Sequence, residues 1–473
     1  MLTFNLDSND KTPLYEQLYC HIRNELETGR IKFGEKLPSK RELASHLKVS
    51  VVTVETAYSQ LTAEGYITSK PGSGFYAEAV QYRTQPENKS IYMPEKLYSK
   101  KYKYNFKTNM VDTGLFPFST WAKLSRETLS EQSPELLSTC DSRGIYELRL
   151  EIANYLKSFR GICVHPDQVV IGAGSEYLTG LIIQLLGRNL VYGIENPGYT
   201  KIYKIFNANC SNILPIPMDE FGADCNFIKN SQADALHITP SHHFPLGMAM
   251  PVNRRTEILN WANSSPNRYI IEDDYDSEFR FSGRPVPAMK SLDSSNRVIY
   301  INTFTKSLAP SMRISYMILP PKLLEKFMKE LGFYACTVPV FEQLTLSKFM
   351  GRGHFERHIR RMKKLYRQRR DTLTNAINSC RLKDCISLKG LDSGLHVLME
   401  VDNGMNEKQL VDSASEEDVK VYGLSEYYSF GNEKVPKSSI VAGYSGLGEK
   451  EILEGVEYLE KAWTFGNFEF KNT

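Results

Sequence analysis

No stretch of eighteen consecutive apolar residues occurs in this chain of 473 residues, so no membrane-crossing helix and no membrane partner are expected. No Cys-x-x-Cys pair occurs either. The eight cysteines stand scattered at positions 20, 140, 163, 210, 225, 336, 380 and 385. Neither a disulfide framework nor a zinc site is suggested, no metal is expected, and a reducing, cytoplasmic setting is the reading. The opening stretch MLTFNLDSNDKTPLYEQL has no apolar core and carries three acidic residues, so it does not read as a secretion leader. Internal repeats and low-complexity tracts are absent. The net charge is only +3 and identifies no class of partner. What is there is an ordinary globular composition, 41% hydrophobic and 24% charged, over a length that implies more than one domain.

The distribution of charge says more than its sum. Residues 1–80 hold nine Lys/Arg against ten Asp/Glu, residues 81–107 hold seven against two, and residues 352–370 hold nine against one. Two basic segments allow nucleic-acid contact. In the second, RGHFERHIRRMKKLYRQRR, Phe355, Ile359, Met362 and Tyr366 fall at helical spacing. A long helix with a solvated basic face is therefore preferred there. The first, with Pro86, Pro94 and lysines at 96, 100, 101 and 103, shows no sustained period and reads as a linker over 79–105.

Before that linker, Leu14, Leu18, Ile22 and Leu26 make one helical stripe. LPSKRELASHLKVSVVTVETAYSQLTAEGYI follows as two helices joined at Lys48-Val49-Ser50. Ser39 and Glu42 have the spacing of a capping box, and Val54, Ala57, Tyr58 and Leu61 line the second helix. YITSKPGSGFYA is two short strands around a Pro-Gly-Ser-Gly tip, a hairpin wing. This segment, 1–78, resembles the winged helix-turn-helix of the GntR class of bacterial transcription regulators. The resemblance implies DNA contact by Ser50, Thr53 and Thr56 of the second helix, by Lys40 and Arg41, and by Lys70, Gly72 and Ser73 of the wing. Val51 stands where many relatives carry arginine. With that contact missing and no net positive charge, the module alone is expected to bind weakly.

From 106 to 473 strand-like and helix-like stretches alternate, the pattern of an α/β fold with a parallel sheet. QVVIGAGSEYLTGLIIQLLG is a strand, a small-residue turn and an apolar helix, with Gly174 and Ser175 able to meet an anion at the helix N-terminus. NLVYGIENPGYTKIY presents Tyr199 after a strand. ALHITPSHHFPLGMAMP carries His242 and His243. RYIIEDDYDSEFRF ends a strand in three consecutive acids and a tyrosine. NRVIYINTFTKSLAPSMRISYMIL places Lys306 just beyond a run of Val298, Ile299, Tyr300 and Ile301, with Arg313 further on. A lysine past the C-terminal end of a buried strand points where ligands bind in such sheets. A solvated loop lysine is the other reading, and this stretch alone leaves both open.

The ordered set narrows the choice. Pyridoxal phosphate (PLP) needs a lysine for its Schiff base, an acid at the pyridine nitrogen, a phosphate cup and an aromatic over the ring. Lys306, Asp273, the group Gly174, Ser175, Thr303, Thr305 and Arg313, and Tyr199 meet those needs in turn, with Tyr275 on the ring oxygen. EDDYDSEFR, TFTKSLAPSMRISYMILP, TPSHHFPLG and HIRRMKKLYRQRRDTL resemble the MocR/GabR family over essentially the full chain. That family joins a GntR-type winged helix through a long linker to a fold type I aminotransferase-like domain, a mixed, mostly parallel sheet with helices on both faces. The resemblance implies a PLP-dependent regulator of operator DNA, a head-to-tail homodimer, and a small-molecule effector that is PLP itself or an amine or amino acid. It also implies a phosphate contact from a tyrosine of the neighbouring subunit, for which Tyr146 is the candidate.

Two departures bear on the ligand. No arginine follows Arg381, whereas aminotransferases of this fold use one there for the substrate carboxylate. His243 replaces a glutamine common in the turn, and it is either a cofactor neighbour or a structural, partly buried histidine, the latter preferred. Lys201 is the substitute candidate for an acidic ligand. A regulator with at most residual half-transamination is the leading expectation. A working aminotransferase carrying a DNA-binding module is the alternative, and a PLP-binding scaffold without switching is a third.

Overall fold

Two hydrogen bonds fix the start of the helix Lys40–Leu47. The Ser39 hydroxyl accepts from the Glu42 amide at 3.3 Å, and the Glu42 carboxylate accepts from the Ser39 amide at 2.9 Å, so two of the helix's orphan donors are satisfied. In this computed structural model the described residues are all but 1–2, 9, 80–99, 132–133, 211, 284–285, 432–435, 437 and 465–473. The basic run expected to be the linker lies largely outside them. The chain divides into two compact units, Met1–Ser99 and Lys100–Thr473.

In the first unit Lys48 takes a left-handed conformation, φ 55°, and turns the chain from Lys40–Leu47 into the helix Val51–Ala63. Leu18, Ile22, Leu43, Val54, Ala57, Tyr58 and Leu61 close one core between these helices and Leu14–Glu27. The strands Ile67–Lys70 and Gly74–Ala77 form the expected hairpin, and Lys36–Leu37 completes a three-stranded antiparallel sheet on its far edge. Ser39→Ala removes the cap and is expected to cost about 1 kcal/mol. Hydrogen exchange should then be roughly fivefold faster in Lys40–Leu47 and unchanged in the second unit.

The second unit is built on an eight-stranded sheet. Its order is Val169–Gly172, Ser315–Ile318, Val298–Thr303, Tyr269–Asp273, Ala235–Ile238, Val191–Asn196, Asn212–Asp219 and Gly222–Ala223. Ser315–Ile318 runs antiparallel to both neighbours and Gly222–Ala223 to its one partner; the other pairings are parallel. All six residues of Val298–Thr303 are buried, because alternate side chains enter different cores. Tyr300 packs with Leu148, Ile152 and Leu346 of the helices on one face. Ile299 and Ile301 pack with Ile182, Leu185 and Phe327 of the helices on the other.

A smaller antiparallel sheet of Ile386–Lys389, His396–Val401, Ser439–Gly443 and Tyr422–Gly423 forms the C-terminal lobe. The basic segment 352–370 lies in the helix His354–Ser379, whose Phe355, Ile359, Met362 and Tyr366 are buried as their spacing predicts. Arg369 is buried too, and donates to the Ser445 carbonyl at 2.6 Å and to Asp112 at 2.5 Å. Residues 100–105 belong to this unit rather than to a linker. Tyr104–Asn105 pairs in parallel with Val419–Lys420, and Tyr104 is buried in the same core as Phe106 and Val419. An apolar ring and a strand partner hold them there.

Candidate functional site

The parallel strands deliver their next residues to one edge of the large sheet. Gly174 follows Val169–Gly172, Tyr199 follows Val191–Asn196, Asp273 ends Tyr269–Asp273, and Lys306 follows Val298–Thr303. Lys306 is the centre of this edge. Burial holds its amine down to about 8, against the opposing pull of the Asp276 and Asp273 charges. Its Nζ donates to the Asn109 carbonyl at 2.8 Å, so the segment just inside the second unit also enters the site.

Strand alternation sorts the consecutive acids. Glu272 accepts from the Met289 and Lys290 amides at 2.8 Å each. Asp274 lies 2.9 Å from the Arg160 guanidinium and accepts from Tyr300 at 2.5 Å. Both are committed to the interior. Asp273 points the other way, with His237 of the adjacent strand 3.6 Å from its carboxylate.

Tyr275 has a less obvious arrangement. His242 Nδ1 lies 2.8 Å from Asp276 Oδ2 and 3.1 Å from the Tyr275 oxygen. A nitrogen that donates to the carboxylate carries a proton and cannot accept one. The tyrosine oxygen therefore accepts, and its own proton is free for another group. Gly394 makes room for this imidazole: it sits at φ 82°, and a Cβ there would lie 1.8 Å from His242 Cε1. His243 is buried 2% exposed, and desolvation holds it down to about 3. Its nearest acid is Glu195 at 3.6 Å, itself pushed up to about 8 by burial. His243 is thus an uncharged interior residue, and His242 is the histidine linked to Tyr275.

The hydroxyl and cationic groups gather around Gly174. Thr303 Oγ1 lies 2.7 Å from Thr305 Oγ1 and 2.8 Å from Ser315 Oγ, which makes it an interior support for the more accessible Thr305. Ser175 opens the helix Ser175–Leu186. Arg313 pairs with Glu176 and also donates to the Ala173 carbonyl at 3.3 Å. Lys201 pairs with Glu176 as well. Tyr199 is 43% exposed, with Phe244 edge-on at 5.6 Å, and it feels the charges of Lys201, Glu176, Asp273 and Arg313. Tyr146 is half exposed at the start of Tyr146–Arg160, with the Arg149 guanidinium 5.5 Å from its ring centre. A single chain does not bring it to the other groups. Asn109, Glu176, His242 and Gly394 were not expected from the sequence.

On the first unit, the Ser50 hydroxyl accepts from the Thr53 amide at 3.0 Å, capping the second helix. Thr56 donates back to the Val52 carbonyl at 2.9 Å. Lys40 is paired with Glu55 at 2.6 Å, whereas Arg41 is exposed. Lys70 lies 4.7 Å from the Tyr76 ring centre, and Ser73 Oγ is 2.5 Å from the Tyr76 hydroxyl. Gly72, at φ 72°, forms the wing tip between them. Val51 and Val52 are exposed at the start of the second helix. Among the described residues, no helix is long and apolar enough to cross a membrane.

Residues 14–77 match the model of bacterial regulatory proteins of the gntR family, and residues 101–435 match that of aminotransferase class I and II. The chain is 42% identical over 455 residues to an uncharacterized HTH-type transcriptional regulator of Bacillus subtilis (strain 168), YdeL, covering 95% of this chain and 97% of the relative. It is 30% identical over 483 residues to the probable rhizopine catabolism regulatory protein MocR of Rhizobium meliloti, covering 97% and 95%. The solved kynurenine aminotransferase of Pyrococcus horikoshii has the same fold, with a TM-score of 0.68 at 23% identity over 77% of this chain and 91% of that one. With both matched regions in this order and a relative matched from end to end, the chain belongs to the MocR-type HTH transcriptional regulators, in which a gntR-family DNA-binding domain precedes an aminotransferase class I and II domain.

Proposed function

We propose that the second unit binds pyridoxal phosphate at Lys306 and that occupancy of this site changes how a head-to-tail homodimer holds operator DNA. One observation carries the reading: a half-buried amine, held down to about 8 by desolvation, stands at the strand ends of an aminotransferase fold that follows a DNA-binding domain. The donor set around it suits the group. Asp273 is the acid of the three not committed to the interior and could meet a pyridine nitrogen, Tyr275 has a proton to give to a ring oxygen, and Tyr199 offers a ring face. Ser175, Thr305, Arg313 and Lys201 supply hydroxyls and positive charge for a phosphate. When bound, the cofactor supplies an aldehyde that an amine can capture and an electron-withdrawing ring. Lys306 provides that amine, Asn109 orients it through its carbonyl, and His242 fixes Tyr275.

The effector is PLP itself or a small amine or amino acid that competes for Lys306. No arginine after Arg381 is present to clamp an α-carboxylate, which favours regulation over turnover. Given an added keto acid to accept the amino group, a working aminotransferase would release a second keto acid from an amino-acid panel at steady state, and this chain is expected not to. The central test titrates apo-protein with PLP, follows operator affinity, then reduces with borohydride and maps the label. The label belongs on Lys306. A label elsewhere, or operator affinity indifferent to PLP and to every amine tested, rejects the reading.

The DNA half has its own test. Arg41 is exposed on the helix Lys40–Leu47, where it can meet a phosphate without first breaking an ion pair as Lys40 must. Arg41→Ala is expected to weaken binding equally on operator and unrelated DNA, and to lower the log–log salt slope by about 0.9 for each chain's lost contact. A loss confined to the operator would place Arg41 on base edges instead.

A further inference from the structure

We propose that Glu176 is a built-in competitor for the cofactor phosphate, occupying the two cations that the phosphate requires. This rests on the reading that the site takes pyridoxal phosphate. Glu176 is the second residue of the helix Ser175–Leu186, in the first turn, where an anion is favoured by free N–H groups and the helix dipole. Its carboxylate bridges Arg313 and Lys201. Burial works to raise its pKa, but the hydrogen bonds and charges of those two cations outweigh it, and the group is held below the ordinary carboxylate range. It is therefore ionised at neutral pH.

The two cations are delivered to the Gly174 turn by different elements. Arg313 has a left-handed backbone, φ 51°, and its guanidinium lies so close to the turn that a Cβ on Gly174 would come within 2.1 Å of Nη2. Lys201 comes from the helix Thr200–Asn209. The helix N-cap is Gly174, which has no side chain to offer, and the two carboxylate oxygens of Glu176 accept from Lys201 and Arg313. An uncharged residue would leave both cations free. With glutamate in place, an incoming phosphate must share or displace a carboxylate already seated on them. The site would then fill only when cofactor is plentiful, which is what distinguishes a sensor from a permanently loaded enzyme.

The test measures dissociation constants of full-length apo-protein for PLP and for pyridoxal, which lacks the phosphate, in the parent chain, Glu176→Gln and Glu176→Ala. Both variants are expected to bind PLP about tenfold or more tightly, since a unit charge is removed at contact distance in a partly screened site. Affinity for pyridoxal should not move. Unchanged or weaker PLP binding in both variants overturns the proposal and would make Glu176 an organiser of the cations. Equal tightening for pyridoxal overturns it too, because the effect would then not reside at the phosphate. If neither compound binds any of the three proteins, the cofactor reading itself fails and this proposal with it.

Discussion

Lys306→Ala is expected to leave operator affinity identical with and without pyridoxal phosphate, and to leave nothing for borohydride to fix. The same amine has a pH signature in the parent protein. Only its neutral form is a nucleophile. At pH 7.5 an amine held down to about 8 is roughly one-quarter neutral, whereas an ordinary lysine is about 0.1% neutral. The rate at which Lys306 captures the aldehyde should therefore rise about tenfold per pH unit up to pH 7 and level off above 8. The sign follows from burial, which penalises the charged form and so lowers the amine's pKa. Stopped-flow absorbance between pH 6 and 10 reads it directly. A rate still climbing at pH 10 would mean that Lys306 is an ordinary, solvated lysine.

The largest effect on stability is expected at Arg160. Its guanidinium lies 2.9 Å from Asp274, with side chains 2% and 0% exposed. It also donates to the Ser241 hydroxyl at 2.8 Å and to the Val286 carbonyl at 3.1 Å. Arg160→Met strands the Asp274 carboxylate in the interior and should cost about 3–5 kcal/mol. Asp274→Asn added to Arg160→Met should recover a large part of that loss, because the uncompensated charge disappears with it. The three tryptophans, Trp121, Trp261 and Trp463, all lie in the second unit, so urea unfolding followed by tryptophan fluorescence reports this unit without the first. Full stability in Arg160→Met alone would show that Asp274 is held by something other than this pair.

Much of this site was legible in the chain because it depends on local pattern. The run Val298–Ile301 announces a buried strand, and a lysine beyond its end follows from the strand's direction. The period of two along 272–274 separates Asp273 from its neighbours once the strand is recognised. The helix 352–370 was legible for the same kind of reason, its apolar residues being in helical register. His242, Gly394 and Asn109 were not legible. Asn109 is brought to the lysine, His242 to Tyr275 and Gly394 to His242 by distant segments, and nothing in their own neighbourhoods records that. In the adjacent pair His242-His243 the sequence singles out His243, and only the fold brings His242 to Tyr275 instead. Glu176 is ordinary as a first-turn acid, and only the approach of Arg313 and Lys201 gives it another meaning. The start of the second unit was missed because Tyr104 finds its partner at Val419, more than three hundred residues away.

That pairing of Tyr104–Asn105 with Val419–Lys420 also sets a timetable for synthesis. The first unit closes its core with residues between Leu18 and Ala77, so it can fold once that short stretch has left the ribosome. The second unit cannot close until its opening strand meets residues translated near the end, and Phe106 waits longer still for the helix Glu449–Thr464, whose Gly455 it packs against. For most of the time a chain is being made, a finished DNA-binding head precedes a second unit that is not yet complete. A message cut short before codon 419 would therefore yield a chain able to present its winged helix while the opening strand of the second unit, just ahead of Asn109, is left without its partner.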